Sequence, residues 1–104
     1  MDLVEEIYRL SSGFPPDEKF GLTSQVRRAA VSIPANIAEG YGRTHRGDYL
    51  HHLSIANGSL MELETHLIIA GRLGIIARDQ AVESWQMIRE TSCMLTALIK
   101  ALTR

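Results

Sequence analysis

The chain has 104 residues, 45% of them hydrophobic and 22% charged, with a formal net charge of -1. That length holds one domain around a single core. The balance excludes the strongly basic profile of a dedicated nucleic-acid-binding domain, and no apolar run approaches the roughly 18 to 20 residues that span a bilayer.

Asp2 to Ser12 reads as a helix with Leu3, Ile7 and Leu10 inward, at steps of four and three. Asp2 is a plausible cap. Gly13 to Gly21 is the first connection. In it Pro15 biases Phe14 away from helical angles, and Pro16 can open a turn through Asp17, Glu18 and Lys19. Phe14 and Phe20 are expected to fold back over the end of the bundle.

The stretch from Gly21 to Arg43 organises the rest. Leu22, Val26, Ala29, Ala30, Ile33 and Ile37 recur at helical spacing and predict a helix over 23–40 with one buried face. Thr23 or Ser24 can cap its start, and Gly40 and Gly42 can end it in a left-handed turn. Pro34 has no N–H for the carbonyl of Ala30 and crowds it. The expectation is a bend near Pro34, or two helical pieces meeting near Ser32–Pro34.

Thr44 can cap a third helix over 45–71. Its seam is Tyr49, Leu53, Ala56, Leu60, Leu63, Leu67 and Ala70. Leu50, Met61, Ile68 and Ile69 lie off that seam as an apolar surplus that suits an oligomer. Ser54 and Gly58 form a small face, and Gly58 costs about 1 kcal/mol in a helix interior, so another helix backbone is expected close by. Gly74 is the terminator, with Leu73, Ile75 and Ile76 plugging the bundle end. A fourth helix over 78–102 has the seam Ala81, Trp85, Ile88, Ser92, Leu95, Ile99 and Leu102, and a second stripe of Met87, Met94 and Leu98. No segment alternates with a period of two. The fold expected is all-α, one antiparallel up-and-down four-helix bundle over residues 1–104.

The central run GLTSQVRRAAVSIPANIAEGYGR resembles the signature of the four-helix-bundle family named after 23S rRNA intervening-sequence proteins. Leu53 to Leu67, Ile7 to Leu10 and Phe14-Pro15 are similar to other parts of its pattern, so the resemblance covers nearly the whole chain. It implies a four-helix bundle, a homopentamer, and no catalytic residues. Relatives of this kind are encoded inside rRNA genes or stand alone, and some are accessory factors to the reverse transcriptases of diversity-generating retroelements. The family pattern begins earlier than Met1, so the first helix here looks short and the groove on its partner helices less covered.

Candidate chemistry is sparse. Glu62 with His66, and Asp48 with His51 and His52, lack the Glu-x-x-His spacing of a di-iron bundle. Asp48 and His52 form at most a weak surface pair, and zinc or iron wants three or four protein ligands. Cys93, the single cysteine, sits beside core Leu95 and reads as a small hydrophobe. There is no phosphate-binding glycine loop. No enzyme activity and no cofactor are expected. The acidic start lacks a signal-peptide layout and one cysteine makes no internal disulfide, which favours the cytoplasm and no membrane contact.

The lead is the distribution of charge. Residues 19–52 hold Lys19, Arg27, Arg28, Arg43 and Arg46 against Glu39 and Asp48, with His45, His51 and His52 in the same block. Arg27, Arg28, Arg43 and Arg46 are therefore the candidate nucleic-acid-binding residues, with Tyr41 and Tyr49 near enough in sequence to stack on a base. Two functions follow: an oligomeric, RNA-binding factor, or a structural adaptor that docks a protein partner such as a reverse transcriptase or another nucleic-acid enzyme.

Overall fold

The computed structural model describes residues 2–18 and 21–103. Among the described residues the chain forms four α-helices and no strand: α1 Asp2–Ser11, α2 Leu22–Tyr41, α3 Arg46–Arg72 and α4 Arg78–Leu102. A single 3-10 turn, Pro16–Glu18, opens at Pro16 as the proline's fixed φ favours. Consecutive helices run antiparallel. The α2–α3 pair packs along most of its length, α4 lies against α3, and α1 packs on α2 and α4.

The apolar seams of the first three helices, with Ile88 and Leu95 of α4, make the core. Leu3, Ile7 and Leu10 of α1 are buried, as are Leu22, Val26, Ala29, Ala30 and Ile33 of α2. On α3, Leu53, Ala56, Leu60, Leu63, Leu67 and Ala70 are buried, while Tyr49 at the head of that seam is half-buried. Phe14 and Ile76 close the ends. Phe20 lies outside the described residues, and Leu73 is 64% exposed rather than part of a plug.

α4 is rotated from the expected register. Ser84, Ile88, Thr91 and Leu95 are buried, whereas Trp85 and Ser92 are only half-buried. The small Ser84 lets α1 come close, and its Oγ reaches Glu6 Oε1 at 3.4 Å. Glu6, 6% exposed, is also bonded by the Arg9 guanidinium, whose Nε lies 3.2 Å from Glu6 Oε2. Hydrogen bonding and then charge from Glu6 hold Arg9 above its ordinary pKa. Thr91 donates to the Met87 carbonyl at 2.9 Å, so its burial leaves no orphan hydroxyl.

The helix ends differ from the hydroxyl caps expected. No side-chain cap comes from Thr23, Ser24 or Thr44. Glu18 supplies the α2 cap, accepting the Leu22 N–H at 3.1 Å from the preceding 3-10 turn. α2 is one continuous helix through Pro34, which excludes two separate pieces. Gly42 is right-handed, with φ -76°. The left-handed turn falls at Gly74 alone among the described glycines, φ +73°. There Ile75 N–H donates to Ala70 O at 2.9 Å and Gly74 N–H to Gly71 O at 3.1 Å, the paired bonds of a Schellman closure.

Gly40 serves a different purpose from a stop. It is buried where α2 crosses α3, and a Cβ on it would lie 2.7 Å from His52 Cβ. Gly58 is exposed and a Cβ there would meet nothing within 4 Å, so no helix of the same chain approaches it.

Candidate nucleic-acid interface

The helices divide the four arginines into two pairs. Arg27 and Arg28 lie in the second turn of α2, and Arg43 and Arg46 flank the connection to α3. About fifteen residues of helical rise separate the pairs, roughly 20 Å. They do not form one patch on a single chain.

Arg27 is occupied by the fold. Its Nε donates to Ser11 Oγ at 2.7 Å, its terminal nitrogen reaches the Tyr8 carbonyl at 3.4 Å, and its guanidinium carbon sits 4.7 Å from the Tyr8 ring centroid. Those contacts tie α2 to the end of α1. Arg28, about 100° further round the helix, is exposed. Arg43 pairs with Glu39 at 2.8 Å, one turn earlier on α2, with both side chains about half exposed. Arg46 opens α3 and is exposed. Neither Arg28 nor Arg46 forms an ion pair among the described residues.

The α2–α3 end gathers the most recognition chemistry. Tyr41, 77% exposed, meets the half-buried Tyr49 edge to face with centroids 6.1 Å apart. Arg43, His45 and Arg46 are exposed on the short connection beside them. His45 holds the N-cap position of α3 and makes no side-chain cap bond, so the first-turn N–H groups have no side-chain acceptor from it. A helix start, two guanidinium groups and an exposed aromatic ring suit a phosphate and an unstacked base.

A polar line across the α2–α3 seam escaped the sequence reading. Ser59 donates to Ser32 Oγ at 2.8 Å, Asn36 Nδ2 to Ser32 Oγ at 3.0 Å, and Asn36 Oδ1 lies 3.1 Å from His52 Nδ1. The i, i+4 pair Ser32–Asn36 and the seven-residue step from His52 to Ser59 were its signals. Because His52 faces Asn36, the Asp48–His52 pairing is not the arrangement adopted. Glu62 and His66 approach to 3.4 Å. Among the described residues no three His, Cys, Asp or Glu groups cluster as metal ligands. Cys93 is exposed rather than packed. No helix is long and apolar enough to cross a membrane.

A compact α2–α3 hairpin braced by α4 and α1 defines a small all-helical bundle protein. The chain belongs to the 23S rRNA-intervening sequence protein family, whose profile matches residues 1–97. It is similar to a crystal structure of a protein of unknown function from the S23 ribosomal protein family of Bacteroides thetaiotaomicron. That likeness has a TM-score of 0.81 and 27% identity, and covers 93% of this chain and 88% of the other. No curated protein matches the chain.

Proposed function

We propose that the chain is a non-enzymatic, cytoplasmic, oligomeric RNA-binding factor that engages single-stranded RNA through the α2–α3 end. The observation that carries this reading is the exposed Tyr41 ring beside Arg43, His45 and Arg46 at the start of α3. Arg28 would add phosphate contacts from the opposite end of α2, and Arg27 contributes by holding α1 in place. One chain with a net charge of -1 offers few cations. A homopentamer, the assembly the family resemblance implies, would repeat the basic end around a ring and raise avidity.

Fluorescence anisotropy with labelled single-stranded RNA tests the reading. Binding should weaken steeply with rising salt, as counterion release requires, and Arg43→Glu with Arg46→Glu should abolish it while helicity is retained. Salt-independent binding, or wild-type binding by the double variant, would reject it. Light scattering giving an 11.6 kDa particle would reject the oligomer.

A second reading, a structural adaptor for a protein partner, is favoured by a different observation. Met61, Ile68, Ile69 and Leu73 of the α3 side are all more than 40% exposed. An apolar docking surface of that kind would be insensitive to salt.

A further inference from the structure

α4 carries an outward stripe that the bundle core does not use. Arg78, Val82, Trp85 and Arg89 follow one another at steps of four, three and four, so they share one face of the helix. That face is turned away from α1, which meets α4 through Glu83 and Ser84. Val82 is 51% exposed, Arg78 and Arg89 are exposed, and Trp85 is half-buried. A groove of about 430 Å³ runs along the stripe, completed by Ala81 and Gln86. A second, of about 230 Å³, lies towards α3, where Trp85 and Arg89 line it with Glu64, Ile88 and Ser92. Trp85, the single tryptophan of the chain, is a wall of both.

The charges around this apolar centre are of both signs. Arg78 and Arg89 close its two ends, roughly 16 Å of helical rise apart. Neither forms an ion pair among the described residues. Asp79, Glu83 and Glu90 lie on the next face of α4, about 100° round, and Glu64 stands on the α3 side. An apolar centre inside a charged rim is the anatomy of a protein interface, and tryptophan and arginine are the residues that most often anchor one. A nucleic-acid strand, negative along its whole length, would meet those carboxylates as well as the arginines. Two copies of the stripe do not pair with each other either, because arginine meets arginine in both directions.

We infer that the Trp85 face of α4 is a docking site for an amphipathic helix of a partner protein, with a carboxylate at each end of its apolar stripe. A helix laid along α4 presents its side chains at the same steps. Acids at i and i+11 then reach Arg78 and Arg89, while apolar residues at i+4 and i+7 cover Val82 and Trp85. The spacing of four, three and four reads alike from both ends, so the arginines set the register for a helix running either way. Exposed ion pairs contribute little. The apolar centre therefore carries most of the affinity, and the arginines most of the choice of partner. The site rests on the adaptor reading and gives it a face on α4, and the RNA reading at the α2–α3 end stands independently of it.

The test uses the 104-residue chain and a capped, labelled, tryptophan-free peptide of about 18 residues, long enough to hold a helix. The peptide carries glutamates at i and i+11 and leucines at i+4 and i+7, with alanine, glutamine and lysine elsewhere. Its anisotropy reads binding anywhere on the chain, and the emission of Trp85, the single tryptophan, reads binding at the site. Both should change together and saturate, with the emission moving to the blue as the ring leaves water. A peptide with glutamine for both glutamates should bind several-fold less tightly. Val82→Glu, at an exposed position, should weaken binding tenfold or more by setting a carboxylate against the leucines. Arg78→Ala and Arg89→Ala should each weaken it several-fold. Ala35→Glu changes the net charge as much as either, on a helix that α4 does not touch, and should bind like wild type. All variants are checked for helicity. No saturable binding, or undiminished binding by a folded Val82→Glu variant, overturns the inference. Saturable anisotropy with unchanged Trp85 emission also overturns it and moves the adaptor surface to another helix. Displacement of the peptide by poly(U) would give the stripe to RNA, and a fall in the mass of the chain alone on Val82→Glu would give it to a second copy; either result overturns the inference.

Discussion

Replacing Gly40 by alanine probes the contact that sets the α2–α3 end. The added methyl would lie 2.7 Å from His52 Cβ and 3.0 Å from Tyr49 Cδ1, against an ordinary carbon–carbon separation of about 3.5–4.0 Å. The shortfall at His52 is about 1 Å. His52 Cβ is fixed to its own backbone and cannot rotate away, so α2 and α3 must part locally. Overpacking of this kind costs about 1–3 kcal/mol, while alanine returns about 1 kcal/mol of helix propensity. The balance is a loss of about 1 kcal/mol, a fall in Tm of about 4–8 °C for a domain of this size. Gly58→Ala supplies the contrast. No atom lies within 4 Å of its added Cβ, so it should keep the propensity gain of about 1 kcal/mol and raise Tm by about 4–8 °C. Thermal unfolding followed by circular dichroism reads both. A rise for Gly40→Ala equal to that for Gly58→Ala would refute the close-crossing argument. A Gly58→Ala gain that vanishes at high protein concentration would put a neighbouring subunit on that face.

Arg27→Ala should lower the urea midpoint by the equivalent of about 1–2 kcal/mol through loss of the Ser11 and Tyr8 contacts. Arg28→Ala should stay within about 0.5 kcal/mol of wild type, and equal effects would contradict the division of labour between them. Gly74→Ala forces a Cβ into a left-handed turn and should cost about 1–2 kcal/mol by the same measurement. Leu60→Ala, at a fully buried position of α3, should cost about 2–5 kcal/mol and leave the protein near its unfolding threshold at room temperature.

The seams of α1 and α2 were legible because each has a single apolar stripe at helical spacing, and that of α3 because its steps of four and three run unbroken over seven positions despite the apolar surplus beside it. α4 was not, because two registers share Ile88 and Leu95. Hydrophobicity pointed to Trp85, but the approach of α1 required the smaller Ser84 inward. Caps were misread for a related reason. Ser and Thr are common caps, yet the acceptor for α2 is a glutamate four residues upstream in a segment that reads as loop. The arginines formed one block in the sequence, but helical rise carries the two pairs to opposite ends of α2, and Arg27 turns inward towards Tyr8 while its neighbour does not.

The light anchoring of α1 has a consequence for how the chain opens. The helix is held to its neighbours through Leu3, Ile7 and Leu10 and through the Ser11–Arg27 and Glu6–Ser84 contacts, against the long seam between α2 and α3. Local release of that one helix should need far less free energy than separating α2 from α3, and its amides should exchange hydrogen first as a unit. Each release uncovers the faces of α2 and α4 that α1 packs against and presents the Gly13–Pro16 connection to proteases. Limited digestion should therefore cut there and shed an α1 fragment while the α2–α3 hairpin survives, at a rate set by how much of the time α1 stands open rather than by the stability of the core.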